Sequence, residues 1–252
     1  MPASLRSEWV KLSTVRSTGW TLFAAFAVTV AFGTLVSALS NANYDDLSRQ
    51  ERLTFDAAGT SFTGGILGQL AMIAFGVMVI GSEYSTGMIR NSLTAVPRRG
   101  VFYLSKLTVA TFAALVVGMI TSFVTFFAGQ AALGSHSTTL GADNVLRATL
   151  GAGLYMALMA VFSMGVATML RSSMLAMGIL MPLFFLVTRI LTSVPGAKKV
   201  AHYLPDQAGE AMARVVAKSD VPYGPGGGLT IMLLWVGAAV IGGYMVLRKR
   251  DA

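Results

Sequence analysis

The chain has 252 residues, of which 54% are hydrophobic and only 12% are charged, and its formal net charge is +8. A soluble domain of this length needs more charged residues to cover its surface, so the composition excludes an ordinary water-soluble protein. The positive charge does not indicate nucleic-acid binding, because the cations flank apolar runs and form no basic face with polar or aromatic readers. The absence of cysteine excludes disulfides and thiolate metal sites.

Residues 1–18 are predicted to form a helix that lies in the membrane surface. Leu5, Trp9 and Leu12 recur at helical spacing, and nearby cations such as Arg6 and Lys11 suit a basic interfacial helix. The alternative is an ordinary basic segment before the first membrane span.

Six apolar runs follow, each of about the length that crosses a bilayer as a helix. Their approximate bounds are 20–39, 62–81, 101–132, 148–170, 174–191 and 229–247. The first run is longer than the apolar part of a signal peptide, so we expect an uncleaved anchor. Gly64 and Gly68 predict a close helix contact in the second span, and Pro182 predicts a kink in the fifth. The predicted fold class is an all-α membrane protein with one transmembrane domain, 1–252.

The cations predict the orientation of these spans. If both termini face the cytoplasm, the cytoplasmic segments carry eleven cations against three anions, and the other side carries eight of each. The positive-inside rule therefore places the termini and segment 83–100 in the cytoplasm, and segment 192–228 on the outer side. A bacterial inner membrane is the expected location.

Catalytic groups are missing from the predicted spans. We expect no carboxylate or histidine at depth, and His136 and His202 are predicted to be solvated loop residues. No phosphate-loop, zinc-protease or serine-hydrolase motif occurs. The sequence therefore predicts no catalytic, cofactor or metal site, and any driving force must come from a partner. An intramembrane enzyme is the least favoured reading.

Segment 83–100 is the longest predicted cytoplasmic connection between spans. Ile89, Leu93 and Val96 recur at helical spacing, which predicts a short amphipathic helix that ends at Pro97. Its flanking cations are Arg90, Arg98 and Arg99. From the residues alone, a basic loop that binds anionic lipid explains the segment about as well.

The same segment resembles the cytoplasmic loop of type 2 ABC exporter permeases. The residues that fit the pattern, in order, are Glu83, Tyr84, Gly87, Leu93, Pro97, Arg98 and Lys106. Met88 departs from it where threonine is common. The opening 5–18 resembles the interfacial helix of that family, especially in its actinobacterial members. Segment 203–209 is similar to the stretch where the family has short helices that dip into the outer leaflet.

The resemblance implies a transport subunit. Two permeases would pair, as copies or as relatives, and each would dock a separate ATPase that carries ATP and Mg. Residues 83–99 would couple the ATPase to the pore. An amphipathic drug, peptide or lipid is the expected substrate, moved outward. Polar residues within the spans that could line a pore are Gln69, Thr121, Ser122, Thr125 and Gln130. The alternative is a passive channel or membrane scaffold without a nucleotide-binding partner.

Overall fold

The computed structural model of the chain describes residues 2–85, 87–88, 98–216 and 220–249. The first helix, α1 (Pro2–Thr14), is separated by extended backbone at Val15 from α2 (Arg16–Ala42). The break lets α1 leave the direction of the first span. The surface helix predicted for residues 1–18 therefore ends at Thr14.

The remaining helices continue the alternation of spans and connections. Short helices α3 (Arg49–Leu53) and α4 (Ala57–Ser61) precede α5 (Gly65–Ser85). The later elements are α6 (Arg99–Leu133), α7 (Val145–Leu170), α8 (Ser173–Pro182), α9 (Thr188–Ser193), α10 (Lys198–Ala201), α11 (Pro205–Ala213) and α12 (Pro225–Lys249).

Within the described residues, six helical stretches are long and apolar enough to cross a membrane, which confirms the predicted fold class. Their bounds are Arg16–Ala42, Ala57–Tyr84, Arg99–His136, Val145–Leu170, Ser173–Ser193 and Pro225–Lys249. We call the face that carries α1, the start of α6 and the end of α12 the basal face. The opposite face, which carries α3, α4 and α11, is the distal face.

Helix α7 forms the centre of the bundle. It is buried over 67% of its most apolar window, the largest share of any span, and packs against α5, α6 and α12. Its inward side carries small and flexible apolar residues, including Ala157, Met159 and Met164. Since lipid is as apolar as these side chains, close packing holds the helices together here.

The predicted glycine contact in the second span joins α5 to α2. A Cβ atom on Gly64 would lie 2.1 Å from the carbonyl oxygen of Thr29, and one on Gly68 would lie 2.0 Å from the Thr29 hydroxyl. Only glycine leaves room for this approach. The predicted kink at Pro182 is also present, because α8 ends there and one π-helical turn, Leu183–Val187, leads into α9.

Two expectations need correction. His202 is not a solvated loop residue, since only 6% of it is exposed. The second span was expected to end near residue 81, before Glu83. Helix α5 instead continues through Glu83, which is buried.

Candidate coupling site at the basal face

Four charged side chains meet where α1, α5 and α6 come together. Lys106 Nζ lies 2.6 Å from Glu8 Oε2 and 3.0 Å from Glu83 Oε1. Lys11 Nζ lies 3.0 Å from Glu8 Oε1 and 3.2 Å from Glu83 Oε1. Each carboxylate therefore contacts both ammonium groups. We call these four residues the basal charge cluster.

Among the described residues, the basal charge cluster is buried and electrically balanced. Glu8, Glu83 and Lys106 are each no more than 7% exposed, and Lys11 is half-buried. Attraction between the two positive and two negative charges offsets much of the free energy of desolvation, which would be too large for any one of these groups buried without a partner. Burial by itself would lower the pKa of Lys11, but hydrogen bonds and charge attraction from Glu8 and Glu83 raise that pKa above its ordinary value.

Helix geometry explains how the cluster forms. Glu8 and Lys11 are three residues apart and share one side of α1. With 35 residues α6 is about 50 Å long, more than the hydrocarbon core needs, so its first two turns with Lys106 extend towards the basal face. Lys106 also lies over the Phe102 ring at 5.7 Å. The Ser4 and Ser105 hydroxyls, 2.9 Å apart, add a second contact between α1 and α6.

The predicted interfacial residues Leu5, Trp9 and Leu12 were expected to face lipid, but two of them contact the bundle. Leu5 and Leu12 are half-buried, and Leu12 packs on the main core. Trp9 is 46% exposed and meets Phe112 of α6 edge to face, with ring centroids 6.3 Å apart. The most buried described side chain of α1 is Glu8. Glu8 was not predicted as a site residue from the sequence, although an acidic residue three positions before Lys11 indicates an ion pair on one side of a helix.

The first part of segment 83–100 is tied to neighbouring helices. The Tyr84 ring lies under the Arg171 guanidinium at 5.6 Å, which links the end of α5 to the turn between α7 and α8. Gly87 has φ +69°, a left-handed conformation that favours glycine. Its backbone N–H donates to the Tyr84 carbonyl at 3.3 Å.

The last part of the segment contacts the final helix. Arg99 Nη1 donates to the carbonyl oxygens of Leu247 at 2.8 Å and Arg248 at 3.3 Å, which are among the last carbonyls of α12. Arg98 is exposed at the start of α6. The other predicted coupling residues lie outside the described part of the chain: Ile89, Arg90, Leu93 and Pro97.

A cavity of about 690 Å³ adjoins the basal charge cluster. Its lining includes all four cluster residues together with apolar side chains of α1, α5 and α8 such as Leu12, Met78 and Met177. The cluster therefore stands at the wall of a largely apolar space between helices.

The predicted pore residues divide into two groups. Gln69, Ser122 and Thr125 line a second cavity, of about 390 Å³, in the distal half of the bundle. Thr121 is buried and donates to the Val117 carbonyl at 2.7 Å. Gln130 donates to the Ala57 carbonyl and to Ser61 Oγ, each at 2.9 Å, so it fastens α4 to α6. Sequence spacing cannot separate these roles.

The chain matches the sequence model of a known protein family. The family model described as ABC-2 family transporter protein matches residues 4–188, which include α1, the first five spans apart from the end of the fifth, and all of segment 83–100. The stretch 203–209, also noted for its likeness, lies beyond the match. A search of curated proteins finds no match. Since the family match covers well over half of the chain, this multi-pass membrane protein belongs to the ABC-2 family of transporter proteins, the membrane-spanning permeases of ABC transporters.

Proposed function

We propose that this permease moves an amphipathic substrate outward and takes its driving force from a separate ABC ATPase. The observation that carries the proposal is the ion pair between Glu83 and Lys106, 3.0 Å apart. Glu83 stands before segment 86–97 and Lys106 stands after it. This pair therefore fastens together the two helices that the segment joins.

The contacts around the pair provide a route for mechanical coupling. Glu8 and Lys11 bring α1 into the same cluster, so a displacement of the segment is expected to move α1, α5 and α6 together. Arg99 extends the connection to α12 through the carbonyls of Leu247 and Arg248. Packed helices joined by buried ion pairs respond as a unit more readily than as independent parts.

Recognition of the ATPase is assigned to the segment itself. Leu93 and Ile89 would fill an apolar cleft on the ATPase, and the cations of the segment would pair with an acidic rim. Among those cations Arg98 is exposed, whereas Arg99 is engaged with the end of α12. We therefore assign Arg98 to the contact with the ATPase and Arg99 to positioning the segment.

The complete transporter would contain two permeases and two ATPase subunits. ATP and Mg would bind to the ATPases and not to this chain. The excess of cations on the basal face supports a cytoplasmic position for segment 83–100 in a bacterial inner membrane. The surrounding lipid is the remaining partner.

Co-purification with an ATPase tests the coupling role. The tagged permease is purified from its native cells, and the phosphate-loop ATPase that remains bound to it is measured. Leu93→Asp is expected to reduce binding about 30-fold, the effect of losing one anchor residue in an interface. Leu53→Asp is the control, because Leu53 is 74% exposed on α3 at the distal face. Equal binding by both variants would refute the assignment, and the absence of any bound ATPase would favour a passive channel or scaffold.

Cysteine labelling in intact cells tests the orientation. The chain has no cysteine, so each introduced thiol reports on one position. An impermeant maleimide is expected to label Ser137→Cys, which is exposed at the distal face, and to leave Ser92→Cys unlabelled until the cells are opened. Labelling of Ser92→Cys in intact cells would overturn the cytoplasmic position proposed for segment 83–100.

A further inference from the structure

The distal cavity contains two buried polar groups without a described partner. Gln69 is 2% exposed and Thr125 is fully buried, and both line the cavity. The Tyr155 hydroxyl donates to Gln69 Oε1, whereas Gln69 Nε2 and Thr125 Oγ1 have no hydrogen-bond partner among the described residues. An unpaired buried polar group carries a free-energy cost that a ligand atom can remove.

The mouth of the cavity carries charges of both signs. Glu210 of α11 accepts from Arg189 Nη2 at 2.7 Å and from Arg214 Nη2 at 3.4 Å. These three side chains are partly exposed, unlike the buried groups at the inner end. Asp56 also lines the cavity, where one of its carboxylate oxygens accepts from the Gly59 backbone N–H at 2.8 Å. Among the described lining residues, two cations and two carboxylates sum to zero.

Apolar side chains also line the cavity, among them Phe62, Ile66 and Met156. The lining therefore combines partly exposed charged groups, apolar side chains and two buried hydrogen-bonding groups. Its volume of about 390 Å³ falls in the range of small-molecule sites. This combination matches a molecule with a balanced or uncharged head, a hydrocarbon part and an oxygen acceptor.

We infer that the distal cavity binds an amphipathic molecule of no net charge that presents a carbonyl oxygen to Gln69 Nε2 and Thr125 Oγ1. Each guanidinium at the mouth has further N–H groups that can face an anionic head atom, and Glu210 and Asp56 can face a cationic one. A zwitterionic lipid of the outer leaflet and a transported solute share this chemistry. The role as cargo rests on the proposed function, but binding at this site does not.

The test measures protection of one thiol in the cavity. Ala152→Cys lines the cavity in a chain that otherwise lacks cysteine, so its modification by N-ethylmaleimide reports occupancy. The full chain is placed in nanodiscs, and a dodecanoyl lysophosphatidylcholine is compared with its ether-linked counterpart, which has the same head and lacks the carbonyl. The ester probe is expected to slow modification at least about fivefold more than the ether probe, because one neutral hydrogen bond already has that effect and the carbonyl has two donors.

Variants of the two donor residues, with a matched threonine control, test whether the difference between the probes depends on Gln69 and Thr125. Thr125→Val and Gln69→Met, each in the Ala152→Cys background, are expected to reduce the difference between the ester and ether probes, because each variant removes one of the two donors. Thr121→Val is the control on the same helix, because Thr121 is paired with Val117 and does not line the cavity. Equal protection by the two probes, or variants at residues 69 and 125 that behave like Thr121→Val, would overturn the inference.

Nanodiscs made from ester-linked or ether-linked phosphatidylcholine identify the source of the ligand. Slower modification in the ester-linked bilayer, without added probe, identifies membrane lipid as the occupant. Equal rates in the two bilayers, with protection by the added ester probe, identify a solute. Both results support the site. ATPase co-purification is measured on the same samples, so failure of the binding site and failure of the permease assignment give different results.

Discussion

Lys106 on α6 holds the carboxylate of Glu8 on α1 at 2.6 Å, within a contact from which water is nearly excluded. This pair adds charge attraction to the apolar contacts of Leu12 and Trp9 that attach α1 to the bundle. The position of α1 consequently depends on the same lysine that contacts Glu83 at the edge of the proposed coupling segment.

Loss of the Lys106 charge is expected to destabilise the fold. Lys106→Met leaves Glu8 and Glu83 with Lys11 between them, and removing one partner of a buried ion pair costs about 3–5 kcal/mol. Thermal unfolding followed by tryptophan fluorescence measures the change. Lys198→Met is the control, because Lys198 pairs with Asp220 at 2.9 Å where both side chains are at least 40% exposed.

A second substitution checks that charge balance is the cause. Lys106→Met combined with Glu83→Gln leaves one carboxylate and one ammonium group in the cluster, so part of the lost stability is expected to return. If the double variant is as unstable as the sum of the two single variants, the pairs do not act as a balanced cluster.

The close approach of α5 to α2 predicts opposite outcomes at two adjacent glycines. Gly64→Ala places a methyl group 2.1 Å from the Thr29 carbonyl oxygen, so the helices must separate, at a cost of about 1–3 kcal/mol. Gly65→Ala meets nothing within 4 Å and is expected to be neutral. Thermal unfolding of both variants provides the comparison, and similar melting temperatures would contradict the packing described here.

Gly87→Ala is expected to weaken ATPase binding without disturbing the bundle. A Cβ atom at φ +69° costs about 1–2 kcal/mol although nothing lies within 4 Å of it, so the chain after α5 must leave by another path. Gly237→Ala on α12 also meets nothing within 4 Å and has no such backbone, which makes it the matched control. Quantified co-purification should fall for the first variant only; equal retention would show that the turn does not position the segment.

Asp206 predicts a stability that falls as pH rises. Burial raises the pKa of Asp206 to about 6, and the neighbouring charge of Glu210 acts in the same direction against the hydrogen bond from Gln207. The unfolded chain releases this proton near pH 4, so between about pH 4 and 6 the folded state binds more protons and loses stability with rising pH. Asp206→Asn is expected to raise the melting temperature at pH 7.5 and to change it little at pH 4.

Asp220 provides a control of opposite sign. The hydrogen bond from Lys198 lowers the pKa of Asp220, so its charged form is favoured in the folded state. Asp220→Asn should therefore bring no gain in melting temperature at pH 7.5. A gain from Asp206→Asn that is the same at both pH values would show that its buried charge is not responsible.

The sequence by itself determined the number of spans, the helical class and the family. Apolar runs of about 20 residues must form helices in lipid, because no other backbone conformation satisfies its own hydrogen bonds there. The features at Gly64 and Pro182 could also be predicted from the sequence. A glycine lets a neighbouring helix approach closely, and a proline lacks the N–H that would continue its own helix. The likeness of segment 83–100 to the permease loop was equally a property of consecutive residues.

The tertiary structure alone decided which polar residues meet. Glu8, Glu83 and Lys106 come from three helices, and their positions along each helix do not identify the charged groups that they meet on the others. The same limit applies to Thr121 and Thr125, which are one turn apart on α6 but differ in that only Thr125 reaches the distal cavity. Helix periodicity gives the face of a residue, whereas the partner opposite that face is set by how the whole bundle packs.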